Sequence, residues 1–254
     1  MTIFQFTNKI EEIFENEVKK LLPGLWDEDL LTQNFLIGLC STLRSVSLTD
    51  LNGLSKVSLN AFKQRGSLTE TRFGDIAIIV NIKYPDGEVI EGVGYLEAKK
   101  RAIGKLTFDA AGVRQLRRIN ANAPHARLLL YDYAPAVGFI TTYMEQPDIY
   151  HHFHRTLRYL PVTHAVAVPI NLSLKANHFD TGLYKFGLPF SHQIGFRYLY
   201  AQDLEFDEET VNASKGFSER MRLSSYVLTI SIVPSNFPEN DSAIVNQEVF
   251  ERLK

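Results

Sequence analysis

A chain of 254 residues with 45% hydrophobic and 22% charged residues is typical of a globular protein, which excludes a disordered, collagen-like or coiled-coil chain. The net charge of −2 excludes a protein that coats nucleic acid by bulk electrostatics. The single cysteine, Cys40, excludes an internal disulfide framework and favours a reducing, cytoplasmic setting. We expect one elaborated domain with neither a signal peptide nor a membrane-spanning segment.

Apolar residues recur at helical spacing in the first part of the chain. The pattern predicts one helix over residues 4–22, which Pro23-Gly24 ends. A second helix is predicted from about Trp26 to about Val46. Its first turn contains the acidic run Asp27–Asp29, which complements the positive end of the helix dipole.

A β-hairpin follows and is the clearest local structure in the sequence. Phe73–Tyr84 and Glu88–Lys99 have strand composition, and Pro85–Gly87 has the composition of a tight turn. After the hairpin, Ala110–Asn120 is predicted to be a helix and Ala126–Tyr133 a buried strand.

The second half of the chain is richer in strand candidates. These are Ala136–Tyr143, His164–Leu174, Gly195–Tyr200 and Ser225–Val233, followed by a short predicted helix near Ile244–Leu253. The run His151–His154 has residue types that bind transition metals, but no acidic or cysteine partner accompanies it, so a loop is the favoured interpretation.

The turn of the hairpin fixes which residues face each other. A three-residue loop with Gly87 in the left-handed conformation pairs Tyr84 with Glu88. The same register, continued along both strands, places Asp75 directly opposite Glu97. Two facing carboxylates repel each other unless a positive charge lies between them, so this pair indicates a cation site.

Lys99 adds a fixed positive charge to this pair. Positions two residues apart on a strand share a face, so Glu97 and Lys99 project together. Carboxylate oxygens are the ligands that Mg²⁺ prefers, and a neighbouring ammonium can orient a water and stabilise charge on a phosphodiester oxygen. The arrangement therefore indicates phosphoryl chemistry.

Asp75, then Glu97-x-Lys99 on the returning strand, then a helix that carries Gln115, resembles the PD-(D/E)XK, or restriction-endonuclease-like, nuclease superfamily. The resemblance extends over about residues 28–132. It implies that Asp75 and Glu97 hold Mg²⁺ or Mn²⁺ and that Lys99 positions the attacking water. It further implies that Gln115 faces the site.

The same resemblance implies a mixed α/β fold with a central mixed sheet flanked by helices. The nuclease core is expected at about residues 25–135 of a single domain, with a β-rich C-terminal elaboration at about residues 136–254. It also suggests Glu28 as an additional metal ligand, although either neighbouring acid could take this role and dipole complementarity explains all three. The chain departs from the family in having Phe73-Gly74, without a proline, before the first acid.

A local excess of positive charge follows the hairpin. Between Glu97 and Arg118 there are seven cations and two acids. The cations expected to contact nucleic-acid phosphates are Lys100, Arg101, Lys105, Arg114, Arg117 and Arg118. So few contacts predict weak intrinsic affinity for DNA, which self-association or a partner would strengthen.

These observations predict a Mg²⁺-dependent deoxyribonuclease, with an endonuclease favoured. By analogy with free-standing catalytic domains of this family, we expect the effector subunit of a bacterial restriction or anti-phage defence complex, with an ATPase or sensor partner or as a homo-oligomer. Two alternatives stay open. One is a non-catalytic subunit that binds nucleic acid or assembles a complex, and the other is a hydrolase of RNA or of a small molecule.

Overall fold

The computed structural model describes residues 1–49, 51, 53–66, 73–109, 112–136, 163–176, 178–218, 223–237 and 243–254. Its α-helices of seven residues or more are α1 (Ile3–Leu21), α2 (Glu28–Thr42), α3 (Val113–Asn122), α4 (Ile170–Ala176) and α5 (Glu208–Ser214), and shorter helical segments lie at Thr181–Phe186, Phe190–His192, Gln193–Arg197 and Tyr198–Tyr200. Its strands are β1 (Ser45–Leu48), β2 (Ser55–Gln64), β3 (Ile76–Lys83), β4 (Val89–Lys100), β5 (Arg127–Ala136), β6 (Thr163–Pro169), β7 (Leu188–Pro189), β8 (Tyr226–Pro234) and β9 (Phe250–Arg252). None of these helices has both the length and the apolar character needed to cross a bilayer.

All nine strands belong to one mixed sheet. Its order is β1-β2-β8-β3-β4-β5-β6-β7, and β9 pairs with β2 outside this path. The pairs β3–β8 and β4–β5 are parallel, and the other pairs are antiparallel. The predicted mixed α/β fold is confirmed. The sheet is not confined to residues 25–135, however, because β8 from the C-terminal part of the chain lies between β2 and β3.

Helices cover both faces of the sheet, and β5 shows this most clearly. Leu129 and Tyr131 pack into the core on the side of α1 and α2, whereas Leu128 and Leu130 pack into the core on the side of α3. All four side chains are fully buried. A strand covered on both faces has a continuous apolar sequence rather than an alternating one, which is why residues 126–133 were recognisable as buried.

The two N-terminal helices form where their apolar spacing predicts, with Asp27 just before the second helix rather than in its first turn. Asp27 caps α2 by accepting a hydrogen bond from Leu30 N at 3.0 Å. Phe14 of α1 and Phe35 of α2 stack with their ring centroids 3.5 Å apart. The second helix ends at Thr42 rather than near Val46, because the following residues join the sheet edge as β1.

Three expectations for the second half are wrong, and tertiary packing explains each. Gly195–Tyr200 is helical, since Ile194 and Tyr198 lie one turn apart and are both fully buried. Residues 244–253 contain β9 instead of a helix, because β9 pairs with the end of β2 that β1 leaves open. The predicted strand His164–Leu174 ends at Pro169 and continues as α4.

Two further parts of the chain also bear on the predictions. The strand β2 was not predicted, although its inward residues Val57, Leu59 and Ala61 are fully buried. The predicted strand Ala136–Tyr143 lies outside the described residues beyond Ala136, and so does His151–His154.

Candidate active site

The β3–β4 hairpin has the predicted register. Tyr84 N donates a hydrogen bond to Glu88 O at 2.8 Å, and Gly87, with φ +92°, donates from its N–H to Tyr84 O at 2.9 Å. The ladder continues without a shift until Ile76 lies opposite Leu96. The three-residue turn therefore sets the alignment of the whole hairpin.

The regular pairing of the two strands ends at Ile76 and Leu96, although the chain stays close to β4. Gly74 has φ +122°, and a Cβ atom at this position would lie only 2.6 Å from the Leu96 carbonyl oxygen. A glycine is therefore needed for the chain to approach β4 this closely. As a result Asp75 stands at the first position beyond the ladder, in the register that leads to Glu97.

Acidic side chains bind the backbone of β4 beyond the residues that pair with β3. Asp75 Oδ2 accepts a hydrogen bond from Ala98 N at 2.9 Å. Glu28 Oε2, from the first turn of α2, accepts one from Lys100 N at 3.2 Å. Carboxylates thus take the place of the missing strand, which satisfies backbone donors and draws two acids to one point.

Lys99 lies among three carboxylates at this point. Its Nζ is 2.8 Å from Glu97 Oε1, 3.4 Å from Glu28 Oε1 and 3.8 Å from Asp75 Oδ2. The ammonium also donates a hydrogen bond to the Ala98 carbonyl. We call Asp75, Glu97, Lys99 and Glu28 the acidic cluster, in which one cation faces three acids.

Helix α3 brings Gln115 to the same place. Leu116 and Ile119 are fully buried and hold the helix against the sheet, and Gln115 Nε2 donates to Glu97 Oε1 at 2.8 Å. Glu97 is itself fully buried, yet its Oε2 accepts no hydrogen bond from any donor in the described part of the chain. The donor from Gln115 thus fixes one oxygen and leaves the other available.

Burial and mutual repulsion make the acids of the cluster hard to ionise. Burial, reinforced by repulsion from Asp75, raises the pKa of Glu97 to about 8. Burial is also the main cause that raises the pKa of Asp75, and it raises the pKa of Glu28 to about 7, while Lys99 opposes both shifts. Burial alone would lower the pKa of Lys99, but the surrounding carboxylates outweigh it and raise this pKa.

A divalent cation fits this arrangement. Asp75 and Glu97 offer hard oxygen donors, and Glu97 Oε2 is a buried acceptor without a donor. A cation between these two residues would offset the repulsion that disfavours their ionised forms. Within the described ranges, no group of three or more His, Cys, Asp or Glu side chains surrounds a common metal position, so the fit rests on the two carboxylates.

Three of the six cations predicted to bind nucleic acid are engaged elsewhere. Lys100 Nζ donates to Trp26 O at 2.8 Å, and Arg101 NH1 lies 3.0 Å from Asp132 Oδ2. Arg118 is half-buried and interacts with neighbouring groups. Arg101 in particular has only 13% of its side chain exposed, which makes it a structural ion pair.

The other three predicted cations are on the surface. Lys105, Arg114 and Arg117 are exposed, and none forms an ion pair with another residue that the structure describes. Arg114 and Arg117 are three residues apart on α3, so they share one face of the helix. This face lies opposite Leu116 and Ile119, the residues through which α3 packs on the sheet, so the two arginines face solvent.

Sequence reasoning missed Tyr226, which supports the site from β8. Its N–H donates to Asp75 O at 3.0 Å, and its hydroxyl donates to Asp29 Oδ1 at 2.6 Å. The contact with Asp29 connects the first turn of α2 to the first residue of β8. The strand itself was predicted from its apolar run, but no local signal indicates that it lies beside β3.

Comparisons of the chain with protein-family models, with curated proteins and with solved structures give no match. The functional assignment therefore rests on the geometry of the acidic cluster and of its surroundings.

Proposed function

We propose that the chain is a metal-dependent deoxyribonuclease of the PD-(D/E)XK type with a restriction-endonuclease-like core. The observation that carries this proposal is the meeting of Asp75, Glu97 and Lys99 at one point, where the ammonium lies 2.8 Å and 3.8 Å from the two acids. The order of elements around the site supports it: α2 precedes the hairpin, and α3 leads to β5, which runs parallel to β4.

In this proposal Asp75 and Glu97 hold Mg²⁺ or Mn²⁺. When bound there, the divalent cation supplies charge neutralisation at the scissile phosphate and lowers the pKa of a coordinated water. Glu97 Oε2 is the oxygen free to act as a ligand, because Gln115 already occupies Oε1. Gln115 is thus a positioning residue that fixes the Glu97 carboxylate.

Lys99 orients the attacking water and stabilises the charge that develops on the phosphate oxygens. Glu28 contacts both Lys99 Nζ and Lys100 N, so it helps to fix the position of the Lys99 side chain. In the hydrolysis, the water oxygen bonds to phosphorus and releases a proton, and one phosphorus–oxygen ester bond breaks. The leaving oxygen takes up a proton, which yields a phosphomonoester and a free hydroxyl.

DNA is the proposed substrate because the stretch of chain that follows the cluster carries exposed cations that form no ion pair with another described residue. Lys105, Arg114 and Arg117 can each contact one phosphate, and so small a number gives weak, salt-sensitive binding. A protein partner such as an ATPase or sensor, or a second copy of the chain, would raise the affinity by adding contacts. This is consistent with an effector subunit of a defence complex.

The proposal is tested by incubating the purified chain with supercoiled plasmid and Mg²⁺, with Mn²⁺ and EDTA in parallel. We expect nicked or linear plasmid with either metal and none with EDTA. Glu97→Gln should abolish cleavage. The matched control is Glu91→Gln, since Glu91 lies on the same strand and pairs with Lys215 far from the cluster.

Cleavage that persists in Glu97→Gln, or that resists EDTA, would contradict the proposed site and its metal dependence. A wild-type chain that binds DNA but leaves plasmid, linear duplex and single strands intact with both metals would favour the non-catalytic alternative. Equal loss in Glu97→Gln and Glu91→Gln would show that the loss does not come from the acidic cluster.

A further inference from the structure

A surface loop follows the acidic cluster directly along the chain. Residues 102–107, which we call the 102–107 loop, connect Arg101 to Phe108, and these two residues form an antiparallel bridge at the base of the loop. Inside it, Ala102 N donates to Thr107 O and Lys105 N donates to Ala102 O, each at 3.1 Å. The loop is therefore a closed turn.

Neighbouring elements hold this turn from several sides. Arg101 Nε donates to Lys105 O at 2.5 Å, while the same guanidinium pairs with the buried Asp132. Gly104 N donates to the Tyr133 hydroxyl at 2.9 Å, and Thr181 N donates to Leu106 O at 3.0 Å. The backbone of the loop is thus fixed before any ligand binds.

Two large aliphatic side chains at the tip of the 102–107 loop are exposed to solvent. Ile103 is 58% exposed and Leu106 is 64% exposed, although both are large aliphatic residues. Lys105 lies between them and is exposed as well. A rigid turn that presents two aliphatic groups to solvent, with a cation between them, has the features of a binding element rather than of a loose connection.

Position and charge identify nucleic acid as the partner. Six extended residues span at most about 20 Å, so Ile103 lies within about six base pairs of Glu97 along B-form DNA. Between Arg101 and Arg118 the sequence contains a single acid, Asp109, and the exposed Lys105, Arg114 and Arg117 are unpaired among the described residues. An apolar tip with an exposed lysine between its two aliphatic residues complements a polyanion whose base stack is apolar inside.

We infer that Ile103 and Leu106 act as a wedge that enters the base stack of DNA near the cleavage position. This inference rests on the proposed function and specifies its substrate as duplex DNA that is opened or kinked on binding. Aliphatic side chains that insert between base steps unstack and bend duplexes in this way. Lys105 would contact the adjacent phosphate and hold the turn in the groove.

The test compares two DNA substrates of the same sequence, one fully paired and one with a short mismatched bubble at the cleavage position. The variant is Ile103→Ser combined with Leu106→Ser. The control is Val89→Ser combined with Ile90→Ser, because these two aliphatic residues are 52% and 38% exposed at the opposite end of β4. Thermal melting of all three proteins confirms that each is folded.

We expect the wedge variant to cut the paired substrate about tenfold more slowly and the bubble at the wild-type rate, since the bubble needs no unstacking. The control variant should match the wild type on both. A second readout is the fluorescence of 2-aminopurine placed within six base pairs of the cut, with Ca²⁺ in place of Mg²⁺. It should rise on binding of the wild type and not of the wedge variant.

Equal rates of the wedge variant and the wild type on paired DNA would overturn the inference and assign the tip to a protein partner instead. An equal slowing on both substrates would also overturn it, because it would indicate a general contact rather than a wedge. A wild-type protein that cuts neither substrate would instead contradict the proposed function itself, so the two failures are distinguishable.

Discussion

Two partly buried charge clusters in the described part of the chain have opposite balances of charge. In the acidic cluster one lysine faces three carboxylates, whereas at Asp203 one carboxylate faces two arginines. Arg197 Nε and Arg127 NH2 lie 2.8 Å and 2.6 Å from Asp203 Oδ2, and Gln193 adds a hydrogen bond at 3.0 Å. The first cluster is left with an excess of negative charge and the second with an excess of positive charge.

Their pKa shifts follow this balance. Burial opposes ionisation of Asp203, but hydrogen bonds from Arg197 and the charge of Arg127 outweigh it, and its pKa lies below the usual range. In the acidic cluster a single ammonium cannot compensate three acids, so burial raises the pKa of Glu97 and Glu28. The comparison indicates that the side chains around Asp203 compensate its charge, whereas Lys99 alone does not compensate the three acids of the acidic cluster.

The largest expected effect is on stability at the Asp203 cluster. Asp203→Asn leaves two guanidinium groups without their carboxylate and should lower the free energy of unfolding by about 3 kcal/mol. Glu97→Gln should change it by less than about 1 kcal/mol, since burial and repulsion from Asp75 already disfavour the ionised form of Glu97 and Lys99 keeps two acidic partners. Urea denaturation of both variants measures the difference. Similar losses in the two variants would contradict the contrast between the clusters.

The next effect concerns catalysis. Lys99→Ala should lower the single-turnover rate of plasmid cleavage by about 10²–10³, because the group that stabilises developing charge is lost. Lys215→Ala is the control, since Lys215 forms a comparable ion pair with Glu91 at the other end of the hairpin. A Lys99→Ala variant that cuts at the control rate would show that Lys99 does not contribute to catalysis.

Glu11 is a buried carboxyl that forms no ion pair with another described residue. Burial raises the pKa of Glu11 to about 8, although Ser191 donates a hydrogen bond to it. Its neighbour His192 stays neutral, because burial lowers its pKa to about 3. Glu11 is therefore protonated in the folded protein at neutral pH, while in the unfolded chain it ionises above its ordinary pKa.

This difference makes folding less favourable as pH rises. Between its ordinary pKa of 4.5 and about pH 8 the unfolded state loses the Glu11 proton and the folded state keeps it. Glu11→Gln removes this linkage, so the free energy of unfolding of the variant relative to the wild type should rise by about 1.4 kcal/mol per pH unit across that window. Denaturation of both proteins at pH 5 and pH 8 measures this change. The same difference in the free energy of unfolding at both pH values would be inconsistent with a neutral Glu11 in the folded protein.

The smallest effect distinguishes exposed from engaged cations. Arg114→Ala and Arg117→Ala should each lower the slope of DNA affinity against salt concentration by about one. Arg101→Ala should leave this slope unchanged, because Arg101 is paired with Asp132. Binding titrations at several salt concentrations measure the slopes. A lower slope for Arg101→Ala but not for Arg114→Ala would contradict the assignment of Arg101 as paired and Arg114 as exposed.

The sequence was sufficient to predict the parts of the fold that depend on neighbouring residues. The turn at Gly87 fixes the register of the hairpin, and that register brings Asp75 towards Glu97 without any information from the rest of the chain. Capping by Asp27 and the apolar stripes of the first helices are local signals of the same kind.

Features set by distant packing were not predictable in this way. The place of β8 beside β3, and with it the support from Tyr226, depends on a pairing between residues about 150 positions apart. The helical conformation of Gly195–Tyr200 depends on burial against α1, which overrides the strand composition of this aromatic run. Whether Arg101 is free or paired depends on Asp132, which no spacing rule connects to it.

The most direct test of the central claim is a titration with Mn²⁺, followed through the paramagnetic resonance signal of the free ion. We expect that the wild type removes Mn²⁺ from solution and that Asp75→Asn combined with Glu97→Gln does not. Asp203→Asn should bind like the wild type under conditions where it is folded. Equal Mn²⁺ binding by the wild type and the Asp75→Asn, Glu97→Gln variant would contradict the assignment of the acidic cluster as the metal site.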